Sequence, residues 1–408
     1  MFRTSLFAAA LAVAAIAAPA HAQAPAKPAP DKAIDLVLCL DVSGSMNGLI
    51  DSAKLRLWDI VNEMARLKPT PNLRVSLYSY GHTSYPAANG WVRKDVDLTA
   101  DLDDVYKALN ALTIGGGTEL VARVSQAALN EQKWTTEAGA LKLIFVCGNE
   151  PANQDKEVTL DSVAARAKKD GVVVNTIYCG SAGNAEAKGW SDFAELCGGR
   201  YMNIDMNKAV RHVAVKTEFD EQILKLGDKL NTTYVTYGEA GKKGAENQVA
   251  QDGNALKAGA APPGGAAGGR GAGAFGGGGF AGPPAAPLAA LARAESKASA
   301  LYRNANWDLV DKMKEKDFDI KKIKDDELCD EMKKMTPDER LAFLKKKADE
   351  RAAIQKEIAE LSAKRQKKVD EELAKQPKTD AEKALDDAVK GVVRDQAKAK
   401  GFEPGKQK

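Results

Sequence analysis

The chain has 408 residues, 44% hydrophobic and 28% charged. That length suits about two to three domains and a core large enough to do without disulfide staples, and five cysteines exclude a disulfide-rich scaffold. Lysine plus arginine number 59 against 56 acids, a formal charge of +3, which excludes a globally basic nucleic-acid binder.

Residues 1–22, MFRTSLFAAALAVAAIAAPAHA, open with a positive Arg3 and continue in a short apolar run from Leu6 to Ala18. Ala20-His21-Ala22 is a small-x-small cleavage pattern, so the segment reads as a signal peptide. The mature protein is expected to begin near Gln23 and to be exported, periplasmic or secreted, where disulfides can form. No later stretch reaches the ~18 apolar residues of a membrane helix. Residues 23–33 read as a Pro/Ala tether.

Residues 34–235 alternate strand-like and helix-like segments. IDLVLCLD (34–41), LKLIFVC (141–147) and VVVNTIYC (172–179) are apolar runs suited to strands buried on both faces of a parallel sheet. LRVSLYSY (73–80), WVRKDVDL (91–98) and RYMNID (200–205) are further strands. Helical spacing recurs over 49–67, 101–112, 119–133, 159–169, 192–196 and 208–230. The alternation predicts an α/β domain with a doubly wound, mostly parallel sheet.

Residues 236–288, Gly/Pro/Ala-rich, have little to bury and are predicted to be a disordered linker. Residues 289–408 are rich in Ala, Lys, Glu and Asp and predict a charged helical region. Thr336-Pro337-Asp338-Glu339 is a capping box with proline at the first helical position. The apolar heptad that follows breaks at Arg351 and Arg365, which predicts a short helical hairpin or short coiled coil. Interspersed charges there read as a solvated face.

The sharpest local signal is Asp41-Val42-Ser43-Gly44-Ser45-Met46, at the end of a buried strand. An acid and two hydroxyls at alternate positions offer three oxygen ligands on one loop, the donor type hard cations prefer. The carboxyl end of a strand is also where open α/β sheets place ligands.

DVSGSM matches the DxSxS signature of von Willebrand factor type A domains, and residues 34 to about 230 resemble that family in their alternation. The signature opens the family's metal-ion-dependent adhesion site, and the second loop of such sites supplies a threonine after a glycine turn. GGGTEL places Thr118 there. The resemblance implies a Rossmann-like fold and a Mg²⁺ (or Mn²⁺ or Ca²⁺) site bound through Asp41, Ser43, Ser45 and Thr118. It also implies capture of an Asp or Glu side chain of a partner protein at an open coordination position. The third loop departs from the pattern. Family members usually supply an aspartate after the fourth strand, whereas aligning the strand ends puts Gly148 at that place, followed by Asn149 and Glu150. One carboxylate is lost, Asn149 and Glu150 are additional candidates for the metal face, and weakened metal affinity is expected.

Cys39, Cys147 and Cys179 fall on core strands, where buried thiols are ordinary packing. In an exported protein Cys179 and Cys197 are the first disulfide candidate, with Cys39–Cys147 as the alternative. Trp58, Tyr85, Trp91 and Trp190 either cover the sheet or line the metal face. Enzyme chemistry is not expected. His82 and His212, the histidines outside the leader, stand in no zinc-ligand spacing. Ser43 lacks the GxSxG elbow, and the glycines at 115–117 lack a GxxxxGK[ST] loop. Two functions remain: an extracytoplasmic protein-binding module working through the metal site, or a metal-independent scaffold binding through its helical tail.

Overall fold

Strand β1 (Ala33–Asp41) is buried along its whole length, as its apolar run requires. In the computed structural model it lies between two parallel neighbours, β3 (Asn72–Tyr80) and β5 (Leu141–Gly148). The model describes residues 32–46, 50, 58, 60–204, 215–258, 288–375 and 380–405, the side chains of 380–389 and 404 excepted. The leader, most of the tether, His212 and residues 259–287 of the expected linker lie outside these. A helix described over residues 60–65 (α1) and a short strand β2 (Leu67–Lys68) connect β1 to β3. β4 (Val92–Thr99) runs antiparallel to β3 at the sheet's edge, and β6 (Val172–Tyr178) and β7 (Tyr201–Asn203) extend it in parallel beyond β5. The order is β4-β3-β1-β5-β6-β7. The chain therefore leaves β1 in one direction and returns on the other side at β5. The carboxyl ends of β1 and β5 flank the topological switch point, the crevice where such sheets bind ligands.

Alternation along β1 sorts its side chains to two cores. Ile34, Leu36, Leu38 and Leu40 face one, Val37 and Cys39 the other. The first core is closed by α1 and by α2 (Leu102–Asn110). The second is closed by α3 (Val121–Glu131), α4 (Leu160–Asp170) and α5 (Ala185–Leu196). Asp35 is a fully buried acid on β1, and it is satisfied: Arg74 donates two bonds to it at 2.9 and 2.8 Å, and the Thr135 amide a third at 2.7 Å.

The region after the sheet differs from the expected tether and tail. α6 (Asp220–Asn231) is followed by α7 (Gly238–Lys257), a 20-residue helix where the linker was expected to start. It packs on α2 and on α8 (Leu288–Ala298), burying Gln248, Gln251 and Ala255. Composition misses this helix because it buries small and amide side chains. After α9 (Leu309–Lys312) and α10 (Asp330–Lys333) comes α11 (Pro337–Ala374), one unbroken helix of 38 residues instead of a hairpin. Thr336 and Glu339 form its capping box. The residues that break its heptad are anchors. Arg351 is buried against Asp308 and Asp311 at 2.8 and 3.1 Å, and Arg365 binds Asp220 at 2.8 Å.

α11 lies on α6 and α8, around Ile223, Leu226, Leu230, Ile354, Ile358 and Leu361. The chain then returns to the sheet. α12 (Asp380–Ala399) contacts β7, and Gln396 exchanges hydrogen bonds with Asn175 of β6 at 2.7 and 3.0 Å. β8 (Glu403–Pro404) pairs with β2, and Phe402 is buried in the first core. The helical region is thus built into the α/β domain.

All five cysteines carry free thiols. Cys179 faces the first core and Cys197 the second, so the sheet separates the expected pair. Cys39 and Cys147 fail for a related reason. The strands pair Leu40 with Cys147, so Cys39 is one residue out of register and points to the opposite face.

Candidate functional site

Three loops meet where β1 and β5 end. Asp41 is the last residue of β1 and is fully buried. Its Oδ1 accepts the Ser43 amide at 2.7 Å, which curls the chain into the tight 3-10 turn Gly44–Met46. The turn brings the Ser43 and Ser45 hydroxyls within 3.1 Å of each other. Ser45 Oγ in turn donates to Asn149 Oδ1 at 3.1 Å, tying the first loop to the third. Alternate spacing on a turn therefore gathers an acid, two hydroxyls and an amide oxygen on one edge of the crevice.

The second loop brings an acid to the site beside the expected threonine. Thr118 is exposed, while the next residue, Glu119, turns inward and is 8% exposed. Its carboxyl group engages the side chains of Asp41 and Ser43. This approach depends on Gly81 at the end of β3. Gly81 adopts φ +83°, and a Cβ there would lie 2.9 Å from Glu119 Cγ and 3.0 Å from Asp41 Oδ1. The signal that could have found Glu119 was an acid beside the threonine in GGGTEL; spacing alone gives no reason to prefer it.

On the third loop, position 148 is closed to an acid, while the Glu150 charge acts on both Asp41 and Glu119. A Cβ on Gly148 would collide with the Tyr80 hydroxyl and sit 3.0 Å from Trp190 Cη2 and 3.2 Å from Asp41 Oδ2. Tyr80 is held there by donating to the Cys147 carbonyl at 2.9 Å. Trp190 is fixed by donating from its indole nitrogen to the Glu150 carbonyl at 2.8 Å. Glu150 itself is exposed. Of the other aromatics, Trp58 is fully buried and Tyr85 nearly so, which places both in the core.

The electrostatics are unbalanced. Asp41 Oδ2 and Glu119 Oε2 are both buried without a hydrogen-bond partner. Burial drives the Asp41 carboxyl up to about 6. Burial and the neighbouring Asp41 charge drive Glu119 up to about 9. No base faces either group in these interactions. A bound divalent cation would offset the two buried acids, and the donors present, carboxylate, hydroxyl and amide oxygen, are those of hard cations. Among the described residues no three His, Cys, Asp or Glu converge, so a cation here would rely on the serine hydroxyls as well as the two carboxylates.

Residues 35–193 match the family model of the von Willebrand factor type A (VWA) domain. This segment is a VWA domain. The VWA domain carries the switch-point crevice and all three loops. Solved structures similar to the chain include proximal thread matrix protein 1 from the mussel byssus, with a zinc-occupied MIDAS motif. It is 15% identical over 44% of this chain and 43% of that one, with a TM-score of 0.33. The SpRpn10 VWA domain is 19% identical over 42% of this chain and 88% of that one, with a TM-score of 0.33. The pilus adhesin SpaC from Lactobacillus rhamnosus GG, in its open conformation, is 16% identical over 44% and 28% of the two chains, with a TM-score of 0.32. The chain thus spans less than half the length of the mussel and pilus proteins. No curated protein sequence matches it.

Proposed function

We propose that the VWA domain is a protein-binding module whose crevice holds a divalent cation, Mg²⁺ or Mn²⁺, and through it captures an Asp or Glu side chain of a partner protein. The observation that carries this reading is the pair of orphaned carboxylate oxygens on Asp41 and Glu119, buried together at the switch point. In this reading Asp41 is the anchoring acid and Ser43 and Ser45 are neutral ligands. Thr118 lies exposed beside the site, where a ligand approaching from solvent meets it. Hard divalent cations take six or more oxygen ligands, so Asp41, Ser43 and Ser45 leave coordination positions that a partner carboxylate can fill.

Capture outside the cytoplasm is part of the same proposal and rests on the leader pattern of residues 1–22. Among the described residues no helix is long and apolar enough to cross a membrane. No role in catalysis or nucleic-acid binding is proposed. The test is affinity capture on the immobilised full chain, in Mg²⁺ and in EDTA, with Asp41→Ala alongside. The expected result is a partner retained in Mg²⁺ and lost both in EDTA and with Asp41→Ala. A partner retained equally in all three would overturn the metal-dependent reading in favour of binding through another surface.

A further inference from the structure

We propose that Glu119 is a direct ligand of the divalent cation at this site and supplies the carboxylate that position 148 cannot. The inference rests on the metal-dependent reading above and adds which residue completes the ligand set.

Two features of packing lead to it. On the third-loop side the place of an acid is filled. The Tyr80 hydroxyl, fixed by the Cys147 carbonyl, occupies the space that any side chain at 148 would need, and Trp190 closes the remaining gap. On the opposite side the chain has opened a matching space. Gly81 lacks the Cβ that would crowd Glu119 and Asp41, and the Glu119 side chain fills the room. The acid has in effect moved from one wall of the crevice to the other.

The state of the two carboxylates points the same way. Asp41 is wholly buried and Glu119 more than nine-tenths buried, and each retains one oxygen with no donor. Two acids buried against each other without a base are unfavourable unless a proton or a cation lies between them. A divalent cation neutralises both, and Ser43 and Ser45 stand beside them as further oxygen donors.

The rival account is that Glu119 is a permanently protonated acid that merely props Asp41. Calorimetric titration of the full chain with Mn²⁺ separates the two, using wild type, Glu119→Gln and Asp41→Ala. The glutamine keeps the shape and the capacity to hydrogen-bond Asp41 but cannot offer a carboxylate. If Glu119 is a ligand, Glu119→Gln weakens Mn²⁺ binding at least tenfold while melting in EDTA no earlier than wild type. Unchanged affinity in Glu119→Gln, with binding still lost in Asp41→Ala, overturns the assignment and leaves the metal-dependent reading standing. No saturable binding by wild type overturns both. Should Glu119→Gln not fold, Glu119→Asp, which withdraws the carboxylate by one methylene, replaces it: affinity lowered threefold or more supports the ligand role, and unchanged affinity overturns it.

Discussion

Two clusters of buried charge in this molecule are built on opposite terms. At the seam between α2, α7 and α8, each buried acid meets a base. Arg293, 1% exposed, binds Asp103 at 2.5 Å and Asp252 at 2.6 Å, and Lys297 binds Asp252 at 2.8 Å. Tyr302 adds a donor to Asp103. Burial works to raise the Asp252 carboxyl, yet Lys297 and Arg293 outweigh it and hold that group below the ordinary carboxylate range. In the crevice of the VWA domain, Asp41 and Glu119 are also buried, but each meets another acid and both are driven upward. Burial is common to the two clusters. Pairing distinguishes them, and it separates a structural lock from the crevice where we propose a cation.

The largest test of the contrast is to break a lock. Arg351 sits between Asp308 and Asp311 and also donates to the Thr233 carbonyl. Arg351→Ala takes the base from buried Asp308 and leaves Asp311 with Lys314 alone, and is expected to cost about 3–5 kcal/mol in urea unfolding. A loss under ~1 kcal/mol would mean that α11 is not held by this pair.

The crevice is expected to respond in the opposite sense. In EDTA, the folded state holds more protons than the unfolded chain between the ordinary carboxylate range and the raised values of about 6 for Asp41 and about 9 for Glu119. Their contribution is therefore fully present at low pH and is lost as pH rises through that window, by up to ~1.4 kcal/mol per pH unit for each extra proton. Asp41→Asn should flatten this slope and stabilise the metal-free chain near neutral pH by roughly 2–3 kcal/mol. Unfolding curves at pH 5, 7 and 9 check both, and a wild-type slope that Asp41→Asn leaves unchanged would show that the unpaired acids are not its source.

A smaller effect is expected at the closed third loop. Gly148→Ala forces a methyl group against the Tyr80 hydroxyl and should cost about 1–3 kcal/mol in thermal or urea unfolding. Tyr80→Phe removes the obstructing oxygen, so the penalty should be smaller in the double variant. Equal penalties in both backgrounds would mean that Tyr80 is not the obstruction. Least of all should follow from Lys188→Ala, which deletes an exposed pair with Asp192 on α5. Its expected cost is within ~0.5 kcal/mol, and a larger loss would weaken the claim that burial gives the locks their strength.

The sheet was legible in the sequence because its central strands are buried on both faces and read as unbroken apolar runs. The first loop of the crevice was legible because Asp41, Ser43 and Ser45 are set by a local turn. What escaped depends on contacts between distant segments. Glu119 is drawn inward by room that Gly81 leaves nearly forty positions earlier. Gly148 reads as a lost acid, and only the packing of Tyr80 and Trp190 shows why no side chain fits. α7 lacks an apolar stripe because it buries amides and small residues. Arg351 and Arg365 read as breaks in a heptad because their partners, Asp308, Asp311 and Asp220, come from other elements.

The central claim is that the unpaired carboxylates of the crevice bind a divalent cation. The direct measurement is calorimetric titration of the full chain with Mg²⁺ and Mn²⁺, beside Asp41→Ala. Saturable heat with a stoichiometry near one, abolished in Asp41→Ala, is the predicted result. Absence of heat in wild type, or heat that Asp41→Ala leaves unchanged, would contradict it.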